Sequence, residues 1–287
     1  MFMRIAGLVF MLTAISGAAT AQEHVTFPSA DGKTALSAYL FLPAKRDARM
    51  PAVVMLHGRA GIYSKAAKGR YDAGSLSQRH REWGALWAAN GYVAVLVDSF
   101  GPRGYPAGFP RFSYDTRPEA VNEVSVRPLD AYGALSWLRA RDDVAGDRIG
   151  LQGWSNGGSA ALATMAAGAG FAPPTSLKGF NAALVFYPAC GLRGRFDDGY
   201  RPYAPVRVFH GTADEETSYR QCRTLVERSR KAGGDIDITL YPDASHGFDD
   251  PGRARQAVSA NRTAKTDATG RSLAFFTEQL APPPPKP

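Results

Sequence analysis

A chain of 287 residues with 45% apolar and 11% aromatic side chains can bury a sizeable core, which excludes the disordered and fibrous classes. Its formal charge of +8 would admit a polyanionic partner, but the 34 Lys and Arg residues are scattered and make no basic run interleaved with aromatics. A solvated basic surface is therefore expected, and no nucleic-acid partner.

The chain starts with Met1-Phe2-Met3-Arg4, a short positive segment, and continues as an apolar run from Ile5 to Ile15. That run is too short to span a bilayer as a mature helix. Ala19-Thr20-Ala21 then supplies a small-x-small cleavage pattern before Gln22. Residues 1–21 are expected to be a secretory signal peptide, with a retained membrane anchor as the competing reading. No later segment is apolar for long enough to cross a membrane, so the mature protein is expected in the periplasm or secreted medium. Export bears on the two cysteines, Cys190 and Cys222. In an oxidising compartment an even pair suits a disulfide, against two buried free thiols. No His/Asp/Glu cluster has metal-ligand spacing, so no metal mechanism is expected.

From residue 22 to 280, short β-branched or apolar runs alternate with longer amphipathic stretches, which predicts one α/β domain. Strands are predicted at His24–Pro28, Leu36–Leu42, Ala52–Leu56, Val93–Val97, Arg148–Gln152, Ala182–Tyr187, Val206–Phe209 and Ile236–Tyr241. Asp31-Gly32 signals a hairpin between the first two. Runs such as Val93-Ala94-Val95-Leu96-Val97 read as strands buried on both faces of a parallel sheet. Helices are predicted at Arg79–Asn90, Glu119–Ala140, Gly157–Ala167, Glu216–Ala232 and Thr269–Leu280. Residues 58–78 and 101–118 are long loops, a size that is commonly functional. Residues 281–287 form a Pro-rich tail, expected to be extended and disordered.

In open α/β sheets ligands sit beyond the carboxyl ends of the strands, so the residues following each strand matter most. After Arg148–Gln152 comes Gly153-Trp154-Ser155-Asn156-Gly157-Gly158, then the small residues of a helix start. G-x-S-x-G alone is a short pattern; between strand and helix it is a nucleophile elbow. A serine hydroxyl needs a base, and the base needs an orienting carboxylate. Asp214 follows the strand at Val206–Phe209, and His246 follows the strand at Ile236–Tyr241. Ser155, Asp214 and His246 thus stand in the chain order of the α/β-hydrolase triad. Glu215, Glu216 and Asp243 compete for the acidic position, and Asp214 leads by its place after His210-Gly211-Thr212-Ala213. An oxyanion needs fixed donors. The N–H groups of Asn156 and Arg59 are the candidates, with Ala60 as second choice to Arg59. His57 and His210 are expected to orient loops, Asp98 to hold a loop, and His24 and His80 to lie on the surface.

Leu56-His57-Gly58-x-x-Gly61, Val97-Asp98-Ser99-Phe100-Gly101-Pro102-Arg103-Gly104, Arg127-Pro128-Leu129-Asp130-Ala131, the elbow and Ser245-His246-Gly247-Phe248 together resemble the dienelactone hydrolase family of α/β-hydrolases. The resemblance runs from about Leu36 to about Phe276. It implies an α/β-hydrolase fold, with a mostly parallel eight-strand sheet and helices on both faces. It also implies no cofactor, and hydrolysis of an ester or lactone. Exported relatives tend to carry Tyr-Pro-x-Cys after the sixth strand and a cysteine on the helix after the triad aspartate. Tyr187-Pro188-Ala189-Cys190 and Cys222 match that pattern, which favours the disulfide. Three departures stand out. The namesake enzyme has a cysteine nucleophile where this chain has Ser155, and a glutamate where it has Gly58. It also has an arginine shortly after the histidine, where this chain has Asp249-Asp250. These weigh against dienelactone as the substrate and leave ester hydrolysis intact.

The expected function is a serine carboxylic-ester or lactone hydrolase working through an acyl-enzyme on a small-molecule substrate. A serine peptidase or acyltransferase would use the same triad. Arg103 and Trp154 are the candidate substrate contacts. Arg59, Lys65, Lys68, Arg70, Arg103 and Arg111 in the two long loops raise an anionic or sugar-rich partner, against a merely solvated basic loop.

Overall fold

The computed structural model describes residues 22–282 apart from residue 47 and residues 169–178. The expected signal peptide and residues 283–287 of the Pro-rich tail lie outside the described residues. Eight strands form one sheet: β1 Gln22–Pro28, β2 Ala35–Phe41, β3 Met50–Leu56, β4 Val93–Asp98, β5 Val144–Trp154, β6 Ala182–Phe186, β7 Val206–Gly211 and β8 Ile236–Tyr241. Their spatial order is β1-β2-β4-β3-β5-β6-β7-β8. The β1–β2 and β2–β4 pairs are antiparallel and all the others are parallel. The α-helices are α1 Gln78–Ala89, α2 Arg127–Arg139, α3 Asn156–Met165, α4 Tyr219–Lys231, the short α5 Arg253–Ala257 and α6 Ser259–Gln279.

Strand side chains alternate between faces, and here both faces are covered. On β3, Val53 and Met55 pack with Trp83 and Trp87 of α1 and Ala268 and Phe276 of α6. Ala52, Val54 and Leu56 pack on the other face with Leu135 of α2, Leu162 of α3 and Val226 of α4. That explains the continuous apolar runs of the central strands. The β1–β2 turn is held by Asp31, whose carboxylate accepts hydrogen bonds from the Lys33 and Thr34 N–H groups.

Two predicted helices differ in extent. The stretch 119–140 is broken: Glu119–Val121 is a 3-10 turn, and α2 begins at Arg127 with Pro128 in its first turn. Between them Asn122 caps the N–H groups of Val124 and Ser125, a local bond that competes with helix. The last helix starts at Ser259, well before the predicted Thr269. Its first half buries Asn261, Ala264 and Ala268, side chains too small or polar to print a hydrophobic period.

Candidate active site

Ser155 sits between the end of β5 and the start of α3, with φ 52° and ψ −118°. Such a backbone costs on the order of 1–3 kcal/mol for a residue with a Cβ and persists only where the surroundings enforce it. They do. A Cβ on Gly153 would run into the Gly157 carbonyl, and one on Gly157 into that of Leu56. The two elbow glycines let β5, β3 and α3 close around the serine, which stands at the carboxyl end of the central strands.

The loops after β7 and β8 bring the other two groups to it. His246 Nε2 lies 3.0 Å from Ser155 Oγ, and His246 Nδ1 lies 2.9 Å from Asp214 Oδ2. The edge of the imidazole packs on Tyr187, at 4.7 Å between ring centroids. Asp214 Oδ1 accepts from the Glu216 and Thr217 N–H groups, at 2.8 Å each. Its Oδ2 accepts from the Thr217 hydroxyl and lies 3.1 Å from His210 Nε2. Burial alone would raise the pKa of this carboxyl. The hydrogen bonds from His210, His246 and Thr217 outweigh it and hold Asp214 ionised, well below the usual carboxylate range.

The competing carboxylates are occupied elsewhere. Glu215 accepts from the His246 backbone N–H and pairs with Arg111. Glu216 approaches His246 Nε2 to 3.8 Å but is bound by Arg59 and Arg111. Burial would raise its pKa, and Arg59, the His246 charge and Arg111 bring it down to about 2. Asp243 is exposed in a turn at φ 57°.

The Gly58 loop is pressed against the nucleophile: a Cβ at Gly58 would lie 3.4 Å from Ser155 Cβ. Among the described residues, no hydrogen bond occupies the backbone N–H of Arg59, Ala60 or Asn156. His57 fixes this loop from beneath. Its Nδ1 donates to the Gly58 carbonyl, and its Nε2 accepts from the Ser99 N–H. Burial keeps it neutral, which that pattern requires. Arg127, fully buried, ties the two halves together by donating to the Asn156 side-chain carbonyl and to the His57 carbonyl. Burial lowers its pKa to about 10. Asn156 in turn donates to the buried Glu123, which pairs with Arg193. Arg127 and Glu123 were not legible as site residues, since neither follows a strand.

Both candidate substrate contacts are corrected. Arg103 is clamped by Asp130, at 2.8 Å to each carboxylate oxygen, and by Asp31 at 3.0 Å, and does not face Ser155. Trp154 is buried on the opposite face of the sheet, where strand alternation turns it away from its neighbour Ser155. Its indole N–H donates to Asp249, which also accepts from Trp83 and Tyr187 and pairs with Arg79. Of the acids that follow His246, Asp249 thus serves a buried network, and Asp250 pairs with Arg79 from a partly exposed position. His80 is buried too, bonded to Ser77 and the Ile62 carbonyl, whereas His24 is exposed as expected.

A cavity of about 550 Å³ opens over Ser155 and Asn156, lined among others by Arg59, Tyr114, Arg117 and Arg193. Of the loop cations singled out in the sequence, Arg59 reaches it and is already paired with Glu216. Arg117 and Arg193 both lie against the Tyr114 ring. One wall is stapled by the Cys190–Cys222 disulfide, which joins the loop after β6 to α4.

Solved structures share this architecture. Esterase 2 of Thermogutta terrifontis with bound propionate is 24% identical, with a TM-score of 0.62 over 91% of this chain and 96% of that one. The same esterase phosphorylated by paraoxon matches at 23% identity and a TM-score of 0.65, over 94% and 99%. A dienelactone hydrolase-like promiscuous phosphotriesterase from metagenomic libraries matches at 18% identity and a TM-score of 0.67, over 92% and 100%. The dienelactone hydrolase family model matches residues 36–280, nearly the whole described chain. The chain therefore belongs to the dienelactone hydrolase family, on the α/β-hydrolase fold.

Proposed function

We propose that this protein is a serine carboxylic-ester hydrolase, acting on esters or lactones through an acyl-enzyme on Ser155. The observation that carries the reading is the unbroken relay from Ser155 Oγ through His246 to an ionised Asp214, built on a strained elbow. His246 Nε2 takes the hydroxyl proton as Oγ attacks the ester carbonyl, and Asp214 holds the tautomer and stabilises the imidazolium. The N–H groups of Asn156 and Arg59 receive the oxyanion. His246 then returns the proton to the departing alcohol, and water repeats the cycle on the acyl-enzyme. No residue of this relay asks for a metal or an organic cofactor. A structural neighbour, the Thermogutta terrifontis esterase, holds propionate and butyrate, which supports an aliphatic acyl group in the substrate without setting its length.

Export belongs to the same proposal. The N-terminal segment 1–21 and a disulfide between the two cysteines both suit an oxidising compartment. N-terminal sequencing of the mature protein, with Gln22 as the expected first residue, tests it.

Ser155→Ala is expected to lower turnover of p-nitrophenyl acetate by roughly 10⁴-fold or more and to abolish labelling by a fluorophosphonate. Unchanged turnover in that variant would remove Ser155 from the mechanism. Amide cleavage exceeding ester cleavage would point to a peptidase instead.

A further inference from the structure

The cavity over Ser155 adjoins a second one. This neighbour, of about 340 Å³, shares Gly191 and Gln221 with it. Its long wall is one face of α4. Gln221, Thr224, Leu225 and Arg228 recur at i, i+3, i+4 and i+7, so they form a stripe along the helix. From Gln221 to Arg228 that stripe runs about 10 Å, at about 1.5 Å per residue. The facing wall is Phe196 and Tyr200, whose rings meet edge-on at 5.6 Å. Cys190 of the disulfide lines it as well, and the bond to Cys222 of α4 holds the two walls together.

Gly191 and Gln221 stand between the two cavities, and residue 191 has no side chain to separate them; the exposed Gln221 side chain is the group that must swing aside. The backbone of Gly191 is ordinary, with φ −69° and ψ −24°, and a Cβ there would meet nothing nearer than Gln221 Oε1 at 3.9 Å. The groove beyond is mainly hydrocarbon and aromatic ring, with its charges, Asp197, Arg220 and Arg228, along the rim. Arg228 is engaged at the far end by the Asp197 carbonyl. The direction of entry follows from the chemistry. The departing alcohol must lie at His246 Nε2, where Glu216 and Arg59 make a charged wall. The acyl chain is left with the Ala189–Gly191 side, which adjoins the groove.

We infer that the acyl subsite continues past Gly191 along α4, and that the enzyme takes esters of linear, medium-chain aliphatic acids. This rests on Ser155 being the nucleophile. At C–C bonds of about 1.5 Å, the stripe beyond Gln221 accommodates roughly eight carbons of an extended chain.

The test is kcat/KM for p-nitrophenyl esters from acetate to dodecanoate, below their critical micelle concentrations, in wild type, Thr224→Trp and Gly191→Phe, with Ser155→Ala as control. A fully buried methylene is worth about fourfold and a half-buried one about twofold, so wild-type octanoate is expected to exceed butyrate by roughly tenfold or more. Thr224 is exposed and lines only the second cavity, so its indole would block the groove and leave the serine untouched. Thr224→Trp is expected to cut decanoate by about tenfold through KM, leaving acetate within about twofold. Gly191→Phe is expected to bring the break to shorter chains. A wild-type profile that is flat or falling beyond butyrate overturns the inference, as does an equal loss at all lengths in Thr224→Trp. Acetate turnover that survives in Ser155→Ala overturns instead the nucleophile on which the inference depends.

Discussion

Asp214 is shared by two histidines, and only one of them reaches the serine. His210 is fully buried, and its Nδ1 has no hydrogen-bond partner among the described residues. A proton there would be an unsatisfied buried donor, so the ring is neutral and its Nε2 donates to Asp214. That donation draws charge from the carboxylate that must stabilise the His246 cation. His210→Phe removes the donor and leaves Asp214 a stronger partner for the imidazolium formed in the reaction. A base must be deprotonated to act, so the acid limb of kcat/KM is expected to move to higher pH. The other charges facing His246 are Glu216 beside Nε2, Glu215 on its backbone N–H and Arg79 against Gly247, and all stay in place. An unmoved pH profile with reduced kcat would make His210 a packing residue only. Residue identity singled out three side chains that the fold brings into contact, Ser155, His246 and Asp214, because each follows a strand in the chain order that the elbow requires. It mispredicted Trp154 and Arg103, since side-chain direction depends on strand phase and on a distant partner, Asp249, for Trp154, and on the β1–β2 turn and the start of α2 for Arg103.

At the scale of elements, the Cys190–Cys222 bond closes a loop with a sequence separation of 32 between β6 and α4. In the chain-entropy account, such a closure contributes about 3–4 kcal/mol by restricting the unfolded chain. The double variant Cys190→Ser/Cys222→Ser is expected to lose about that much in urea unfolding. An equal midpoint for wild type and variant would show that the bond adds nothing to stability. The elbow is a second element-scale device. Gly157→Ala forces a methyl into the Leu56 carbonyl, so α3 must move off β3 and carry Ser155 with it. Soluble protein is expected to lose at least about tenfold in kcat, because displacement by an ångström misplaces the nucleophile; full activity in that variant would contradict the packing described. Strand and helix order was read correctly because periodicity and turn residues are local. The bounds of α2 and α6 were not, because a side-chain cap at Asn122 and a face of small residues override or mute the periodic signal.

For the whole molecule, the hairpin formed by β1 and β2 is tied down by Arg103, which joins Asp31 to Asp130 at the start of α2. Burial would raise the Asp31 pKa. The hydrogen bonds from Lys33, Thr34 and Arg103 outweigh it and bring it from 3.8 to about 2. A carboxyl depressed on folding stabilises the protein above its unfolded pKa, and the contribution is lost as pH falls through the folded value. With Glu216 also brought to about 2, stability is expected to hold above about pH 5 and to fall steadily from about pH 4 to about pH 2. Asp31→Asn is expected to be less stable at neutral pH and to show a shallower decline across that window, measured by thermal unfolding at stepped pH. Parallel curves for variant and wild type would rule out this linkage.

The chain by itself determined the class of fold, the identity and order of Ser155, Asp214 and His246, and the pairing partner open to Cys190. Each depends on local pattern: apolar period, turn glycine, strand-end position. Tertiary structure decided which of three adjacent acids meets the histidine, that Arg127 underpins the oxyanion loop, and that Arg103 serves the scaffold. It also placed a second cavity, lined by α4, beside the one over Ser155. Those facts depend on distances between segments far apart in sequence, and no local pattern encodes a distance that forms only when the sheet closes.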